Sequence, residues 1–552
     1  MLASWVSRWC YRRFQRACAS PLEAQAKRLR IILRRAAATD FGRAHDFAAL
    51  ARVPGPAALV RAFQDRVPIR SYREMQPELE AVERGEWQRL CPSRPIFFSM
   101  TAGSTGAYKR IPITREFRRE VGMGSLIVQG ALEDCFPELR RLRLQFLVGS
   151  AEGGVTEGGV PQGFSSGFNY KHLPRMVRHR FVLPYWVFTL HDVDDRSYAA
   201  GRLLVAERQL GALCAISPVN LINVRQSLET HAERLCTDIA MGTLTLRGTS
   251  AVPGMYRGTP DPALAAALRQ ARARGGRFPT ELLFPALRVL VCWQGGNMGY
   301  YLHELAEQFG GQDRFEFPVS ASEGLFAIPC QGNRAGGALA VTTHFLEFLP
   351  ASGGTHALRA DELSVGALYR LVITTSGGLY RYDMEDLVRV TGMSACTPIV
   401  EFVSKADRQT SVSNERLTEG DVTVAMEAAS RASDVWVDRF LFVPCSDRRY
   451  RVLVDGAAVG RLLPPERDAR LGGLADALER ALRTASKGYD FEREDALLEP
   501  LHLVVTAPGA LAASEARPQA LPNAQVKPRH LTPVFDAHAT LALEGSHAAR
   551  GA

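Results

Sequence analysis

Short apolar runs alternate along this chain with longer amphipathic segments, and that alternation limits the fold more than any other feature. Leu287–Cys292, Leu368–Thr374, Val400–Val403 and Phe440–Val443 are rich in Val, Leu, Ile and Phe and read as strands. Residues 1–50 read as helical, with Pro21 opening a second helix whose apolar stripe is Leu22, Ala26, Leu29, Leu33 and Ala37. Residues 113–134 predict a helix after the stop at Pro112, and Gln226–Ala240 another that closes near Gly242. Helices alternating with such strands predict an α/β body. A polar run, Ser404–Asn414, follows the strand ending at Val403, and a helix is expected from about Thr418. The chain therefore divides into a large domain, residues 1–410, and a small one, residues 411–552. Gly149–Gly167, with seven glycines, and Ala507–Asn523, rich in Ala and Pro, are expected to be loops, the second mobile.

Composition narrows the class. Of 552 residues, 46% are hydrophobic and 23% charged, which excludes a mostly disordered chain. No apolar stretch approaches the ~18 residues of a membrane-spanning helix. The net charge is +9, but nine basic residues and one acid lie within residues 1–35, so the rest is close to neutral. That leaves no surplus for a nucleic-acid-binding stripe. Ten cysteines occur without a C-x-x-C or a His at metal spacing, and no apolar signal region opens the chain. Reduced thiols in a cytoplasmic protein are expected. Only six lysines occur against many Arg and Ala, which reads as a GC-rich, bacterial coding bias. Near the N-terminus Trp5, Trp9, Tyr11 and Phe14 sit among Arg8, Arg12, Arg13 and Arg16. Residues 1–20 either dock on an acidic membrane surface or pack their aromatics on the large domain.

Common catalytic motifs are absent. No Lys follows Gly, so there is no Walker A loop, and His303-Glu304 does not continue to H-E-x-x-H. Gly163-Phe164-Ser165-Ser166-Gly167 matches G-x-S-x-G, but its Gly-rich approach reads as loop rather than the strand a nucleophile elbow needs. Three other segments carry chemistry. In Ser99–Lys109, two Gly, several hydroxyls and Lys109 follow the apolar run Ile96-Phe97-Phe98, a pattern suited to an anion nest. Ser320-Ala321-Ser322-Glu323-Gly324 follows a Phe-rich run, and Thr374–Asp386 gathers acids, bases and two Tyr at a strand end.

In this order the three segments resemble the adenylate-forming, firefly luciferase-like enzymes. The resemblance is closest to the Gretchen Hagen (auxin-responsive promoter) family of acyl acid amido synthetases. Thr39–Arg43, Val67–Tyr72 with Gln76-Pro77, Phe345–Pro350 and Gln525–Arg529 are similar to further family elements. The chain departs from the family pattern at Ala102, usually Ser, at Ser404-Lys405, usually Gly-Arg, and at Glu385, usually a Gly whose loss bears on the local turn.

The resemblance implies a large N-terminal mixed α/β domain, with sheets flanked by helices, and a smaller mobile α+β C-terminal cap. It implies ATP and Mg²⁺, a small-molecule carboxylic acid, and an amine or amino acid. The acid is adenylated, and the amine then takes the acyl group. Ser104 and Thr105 are expected to hold the β- and γ-phosphates with help from Lys109, and Glu323 to hold Mg²⁺. Ala321 and Ser322 are expected to line the adenine, Asp386 to hold the ribose hydroxyls, and Lys527 to reach the α-phosphate. The plain alternative for Asp386 is an ion pair with Arg381 or Arg389. Transfer to a thiol, as in acyl-CoA ligases, and a catalytically degenerate ligand-binding or membrane-docked protein are the competing readings. The segment Phe117–Phe168 is where the acyl pocket is sought, and its aromatics admit either an aromatic or an alkyl acid. Oligomeric state is left open.

Overall fold

The structure, a computed structural model, describes residues 2–102, 108–247, 256, 258–354, 356–405, 409–413, 415, 417–437, 439–456, 464–515, 529–532, 537 and 543–548. It holds two compact units, one from Met1–Gly295, Leu302–Phe402 and Leu521–Gln525, the other from Gly296–Tyr301, Val403–Ala520 and Val526–Ala552.

The first unit opens on helices α1 (Leu2–Ala17) and α2 (Pro21–Ala36). Its strands are β1 (Phe97–Ala102), β2 (Tyr108–Ile113), β3 (Arg143–Phe146), β4 (Gln162–Gly163), β5 (Leu210–Cys214), β6 (Val289–Cys292) and β7 (Asp313–Glu316). There follow β8 (Val319–Ala321), β9 (Gly324–Ile328), β10 (Gly337–Leu339), β11 (Phe345–Pro350), β12 (Leu368–Thr374), β13 (Tyr382–Ser394) and β14 (Thr397–Lys405). They build a seven-stranded sheet ordered β11-β12-β13-β14-β10-β9-β8, a parallel sheet β3-β5-β6-β7, and a small sheet β2-β1-β4. In the parallel sheet β6 is buried along its whole length, which is why its sequence is a continuous apolar run rather than an alternation.

Between β2 and β3 runs the helix Arg115–Cys135. Thr114 caps it by accepting from the Phe117 amide at 3.1 Å. Pro112 belongs to β2, opposite Phe98, so the helix starts only where the strand releases the chain.

In the second unit β17 (Phe440–Cys445), β18 (Arg449–Asp455), β19 (His502–Thr506) and β20 (Leu543–Ala548) form one sheet in chain order, and β15 (Gln409–Thr410) pairs with β16 (Leu417–Thr418). The β18–β19 pair is parallel, and helices Pro464–Ala485 and Lys487–Glu494 make the crossover that such a pair requires. Leu471, Leu474, Leu478 and Leu482 form the buried stripe of the longer helix. The helix Glu419–Ser433 begins in a capping box between Thr418 and Asp421. The chain is thus mixed α/β with helices flanking its sheets.

Several local expectations change. The single helix over Gln226–Ala240 is two, Pro218–Thr230 and Ala232–Met241, broken at His231; the second does end at Gly242, in the left-handed region. The buried face of α2 is Gln25, Ala26, Leu29, Ile32, Leu33 and Ala36, rotated from the expected stripe because Gln25 turns inward. Its amide donates to the carbonyls of Val341 (2.8 Å) and His344 (2.7 Å). The segment Gly149–Gly167 contains β4, which runs directly into a helix, Ser165–Lys171, so it is not loop throughout; Ser165 is not among the residues of positive φ. Of Ala507–Asn523, residues 510–515 are helical, and those beyond 515 lie outside the described residues. All ten cysteines are free thiols, six of them buried. Among the described residues no helix is long and apolar enough to cross a membrane.

Candidate functional site

The β1–β2 hairpin, the β8–β9 turn and the start of β13 come together in the first unit. The hairpin ladder ends at Ala102 opposite Tyr108, which leaves 103–107 as its connection. Ser104 and Thr105 lie outside the described residues, as does Lys527. Lys109 is paired with Thr101 in the ladder. Its Nζ is 4.0 Å from Glu385 Oε2 and 5.0 Å from the centre of the Tyr72 ring.

The second motif is a two-residue turn. Ala321 opposes Gly324 across the β8–β9 ladder, so Ser322 and Glu323 form its tip. A hydrogen bond from Ser99 Oγ to Ser322 Oγ at 2.8 Å joins this tip to β1. Ala321 is exposed, Ser322 half-buried and Glu323 only 5% exposed. Gly324 has no room for a side chain, since a Cβ there would lie 2.7 Å from Ile373 Cδ1 and 2.9 Å from His344 Cδ2.

The third motif contains a bulge. Across β12–β13, Arg370 opposes Leu387 while Val372 already opposes Asp383, so Met384, Glu385 and Asp386 are looped out of the ladder. Glu385 adopts φ 56°, the left-handed turn that a Gly would take without strain. The turn survives the departure from the family pattern, at a cost of ~1–2 kcal/mol for a non-Gly residue. Glu385→Gly is expected to raise stability by up to ~1 kcal/mol, the smaller figure reflecting the extra unfolded-state freedom of Gly. A urea midpoint below that of the parent would show that the Lys109 contact outweighs the strain.

Asp386 is buried, at 6% exposure. Arg381 does not serve as its partner. The Arg381 guanidinium grips Glu347 through Nε (3.1 and 3.0 Å) and donates from Nη1 to the carbonyls of Gln64 (2.9 Å) and Val67 (2.6 Å). Arg389 is exposed. The Tyr382 phenol lies among these groups: burial pushes its pKa well up, and the negative charges of Glu323, Glu385 and Asp386 push it the same way.

Other motif segments build the support. The peptide of Arg70 brackets the start of β13, its N–H donating to Arg381 O (3.0 Å) and its C=O accepting from Asp383 N (2.9 Å). Phe41 stacks on Tyr380 with centroids 5.1 Å apart, and the Arg70 guanidinium lies 4.6 Å from the Phe41 ring. Gly42 lets its helix approach α2, because a Cβ there would fall 2.0 Å from Ala36 O. Sequence reading missed Tyr72, Tyr382 and the Arg381–Glu347 pair. One signal was available: Glu347 interrupts the apolar run Phe345–Leu349, and a charge in a buried strand demands a partner.

Beneath the Ser376 turn, Glu120 meets Arg28 (2.5 Å), Arg35 (2.7 Å) and His344 (3.6 Å) and accepts from Ser376 Oγ (2.6 Å). Burial alone would raise the Glu120 pKa, but His344, Arg28 and Ser376 outweigh it and hold the carboxyl at about 2. A depressed carboxyl stabilises the fold above its unfolded pKa and ceases to do so as pH falls through the folded value. The first unit is therefore expected to lose roughly 3 kcal/mol through this group between about pH 4.5 and 2. Burial also lowers the His344 pKa, which acts in the same direction. Glu120→Gln should flatten the acid limb of stability against pH; an unchanged limb would show that the loss arises elsewhere.

The donor set at the three motifs, hydroxyls with one ammonium and several carboxylates, suits a nucleotide bound with a cation. Among the described residues no group of three or more His, Cys, Asp or Glu is placed to hold a metal. Mg²⁺ does not need such a cage, since one or two carboxylates with phosphate oxygens and waters complete its shell. A cavity of about 570 Å³ lined by Ile96, Arg115, Arg118, Arg119, Phe168 and His172 lies at the base of the β1–β2 hairpin, the end away from residues 103–107. Phe168 is thus at a cavity, whereas Phe136 and Phe146 pack against Phe315 and Phe317.

Comparison with known proteins places this arrangement. Residues 10–314 match the GH3 family N-terminal domain, and residues 337–405 the GH3 family central domain. Indole-3-acetic acid-amido synthetase GH3.8 of Oryza sativa subsp. indica is 27% identical over 489 residues, covering 81% of this chain and 78% of that protein. Indole-3-acetic acid-amido synthetase GH3.2 of Arabidopsis thaliana is 25% identical over 417 residues, 67% of this chain and 73% of that one. The solved structure of GH3.15 acyl acid amido synthetase superposes with a TM-score of 0.82 at 21% identity, covering 98% of each chain, and so shares the fold. With its N-terminal domain matched over more than half of its length and the central domain following in order, the chain belongs to the GH3 family.

Proposed function

We propose that this protein is an ATP-dependent acyl acid amido synthetase, which adenylates a carboxylic acid and passes the acyl group to the amine of an amino acid. One observation carries the reading: in a GH3-family chain, the hairpin, the Glu323 turn and the Asp386 bulge converge through the Ser99–Ser322 hydrogen bond (2.8 Å) and the Lys109–Glu385 contact (4.0 Å).

In the first half-reaction a carboxylate oxygen attacks the α-phosphorus of ATP and pyrophosphate leaves. In the second, the amine attacks the acyl carbon and AMP leaves. The protein's part in the first step is positioning and charge neutralisation. Ser104 and Thr105, with neighbouring amides, hold the β- and γ-phosphates, and Lys109 adds positive charge. Ala321 and Ser322 line the adenine. Asp386 accepts from both ribose hydroxyls, as the two oxygens of a carboxylate allow. Glu323 would hold Mg²⁺, which when bound would neutralise phosphate charge. To Lys527 falls the role of offsetting charge on the α-phosphate and the attacking carboxylate. The Arg-over-Lys bias and the ten free thiols suggest a bacterial, cytoplasmic protein, although the relatives compared are from plants.

Pyrophosphate exchange into ATP, run with a panel of aryl and alkyl acids, tests the first step. Amide formation with an amino-acid panel tests the second. Silence across the acids with ATP still bound would make this a ligand-binding protein, and AMP release dependent on coenzyme A alone would make it a thioester ligase. Lys527→Ala is expected to slow adenylate formation more than amide formation from a supplied acyl-adenylate, since only the first step builds charge at the α-phosphate. Equal losses in both steps would remove Lys527 from that role.

A further inference from the structure

The N-terminal helix separates its aromatic residues onto two faces. Ser7, Cys10, Tyr11, Phe14 and Cys18 are buried. Helix α1 packs on the helix Arg115–Cys135. At the crossing, Gly130 admits the carbonyl of Ser7, because a Cβ on it would lie 2.3 Å from that oxygen. Ser4 Oγ donates to Glu133 on the same helix. The inner face is therefore held by the protein, and Tyr11 and Phe14 do pack on the large unit as one of the two expectations had it.

Trp5 and Trp9 do not. They are 64% and 45% exposed. Arg12, Arg13 and Arg16 are exposed and Arg8 half-buried. Positions 5, 8, 9, 12, 13 and 16 fall at the three- and four-residue spacing of a single helix face. The Arg13 guanidinium lies 4.7 Å from the centre of the Trp9 ring. The first acid in the sequence is Glu23, beyond the end of α1, so nothing on this helix offsets its four arginines. Two exposed indoles on an otherwise packed helix are uncommon for a surface that faces only water.

We propose that the outer face of α1 docks this protein on an anionic lipid surface. The indole rings suit the boundary between headgroups and acyl chains, where an apolar body and a polar N–H are both accommodated. The arginine forks match lipid phosphates in pairs of hydrogen bonds. Because the inner face is already occupied, α1 lies flat and enters only to the depth of its indoles. The charge attracts the protein to the membrane and the two rings retain it there. Exposed indoles beside four arginines, with no acid on the helix, match the charge and polarity of an anionic lipid boundary, so lipid is the occupant the surface favours, and an acidic protein partner is an outcome of the test. This inference is independent of the ligase reading.

The test is sedimentation of the full chain with vesicles of phosphatidylcholine containing about a third phosphatidylserine, against vesicles of phosphatidylcholine alone. Binding is expected only to the anionic vesicles. Arg8, Arg12, Arg13 and Arg16 changed together to Gln should lower partitioning at least about 100-fold, given the contribution of each basic residue at an anionic surface. Trp5→Ser with Trp9→Ser should lower it at least about tenfold and abolish the blue shift of tryptophan fluorescence on vesicle addition. Far-UV circular dichroism and the urea midpoint of these variants, measured in parallel, should match the wild type and show that they are folded. Wild-type protein left in the supernatant with anionic vesicles at low salt overturns the proposal. So does retention on immobilised polyglutamate without vesicle binding, or vesicle binding that survives both sets of substitutions.

Discussion

Arg381→Ala is expected to destabilise the first unit by about 3–5 kcal/mol, the range for removing one partner of a buried ion pair. Glu347 is 1% exposed and Arg381 6%. Without the guanidinium, the Glu347 carboxylate keeps, among the described residues, only its hydrogen bond from Gln64 Nε2 at 3.0 Å, and the carbonyls of Gln64 and Val67 lose the Arg381 donor. Arg381→Lys should recover only part of the loss, since a single ammonium cannot span a carboxylate and two carbonyls at once. Replacing both partners by Leu should cost much less than Arg381→Ala alone, because no unpaired charge then remains buried. Urea unfolding of the three variants measures this. If the double variant is as damaged as the single one, packing rather than charge accounts for the effect. The pair also bears on the site: Arg381 immediately precedes Tyr382 and the bulge that carries Asp386.

Ser104→Ala combined with Thr105→Ala is expected to lower ATP–pyrophosphate exchange by about a thousandfold or more. Losing one donor to a developing charge typically costs 10²–10³-fold, and neighbouring donors on one group are not additive. The loss should fall on the rate rather than on acid binding, because the role proposed for the hydroxyls is to meet phosphate charge as it builds. An unchanged exchange rate would mean that another segment holds the phosphates. A loss equal to that of Glu323→Ala would be compatible with both groups acting on the same step.

The class of fold and the order of the motifs were legible because both are local. Val, Leu, Ile and Phe in an unbroken run are favoured in a strand buried on both faces, and β6, β12 and β17 lie where such runs occur. Glu323 sits at the tip of the β8–β9 turn, beside Gly324; its burial could not be read from its neighbours in sequence. The left-handed turn at Glu385 ran against local propensity, yet the ladder on either side of the bulge holds it.

What the sequence by itself determined, then, is the type of its most strongly patterned segments, and that the motif residues stand in the order of the GH3 family. Only the tertiary structure decided partners and faces. The mate of Arg381 is Glu347, thirty-four positions away, rather than Asp386 nearby. Tyr11 and Phe14 are covered while Trp5 and Trp9 are left to the outside, though all four lie on one short helix. The physical reason is the same in each case. Periodicity and propensity act over a turn or two of chain, whereas a buried charge or an aromatic face is satisfied by whatever distant element packs against it, and that is settled only when the whole core closes.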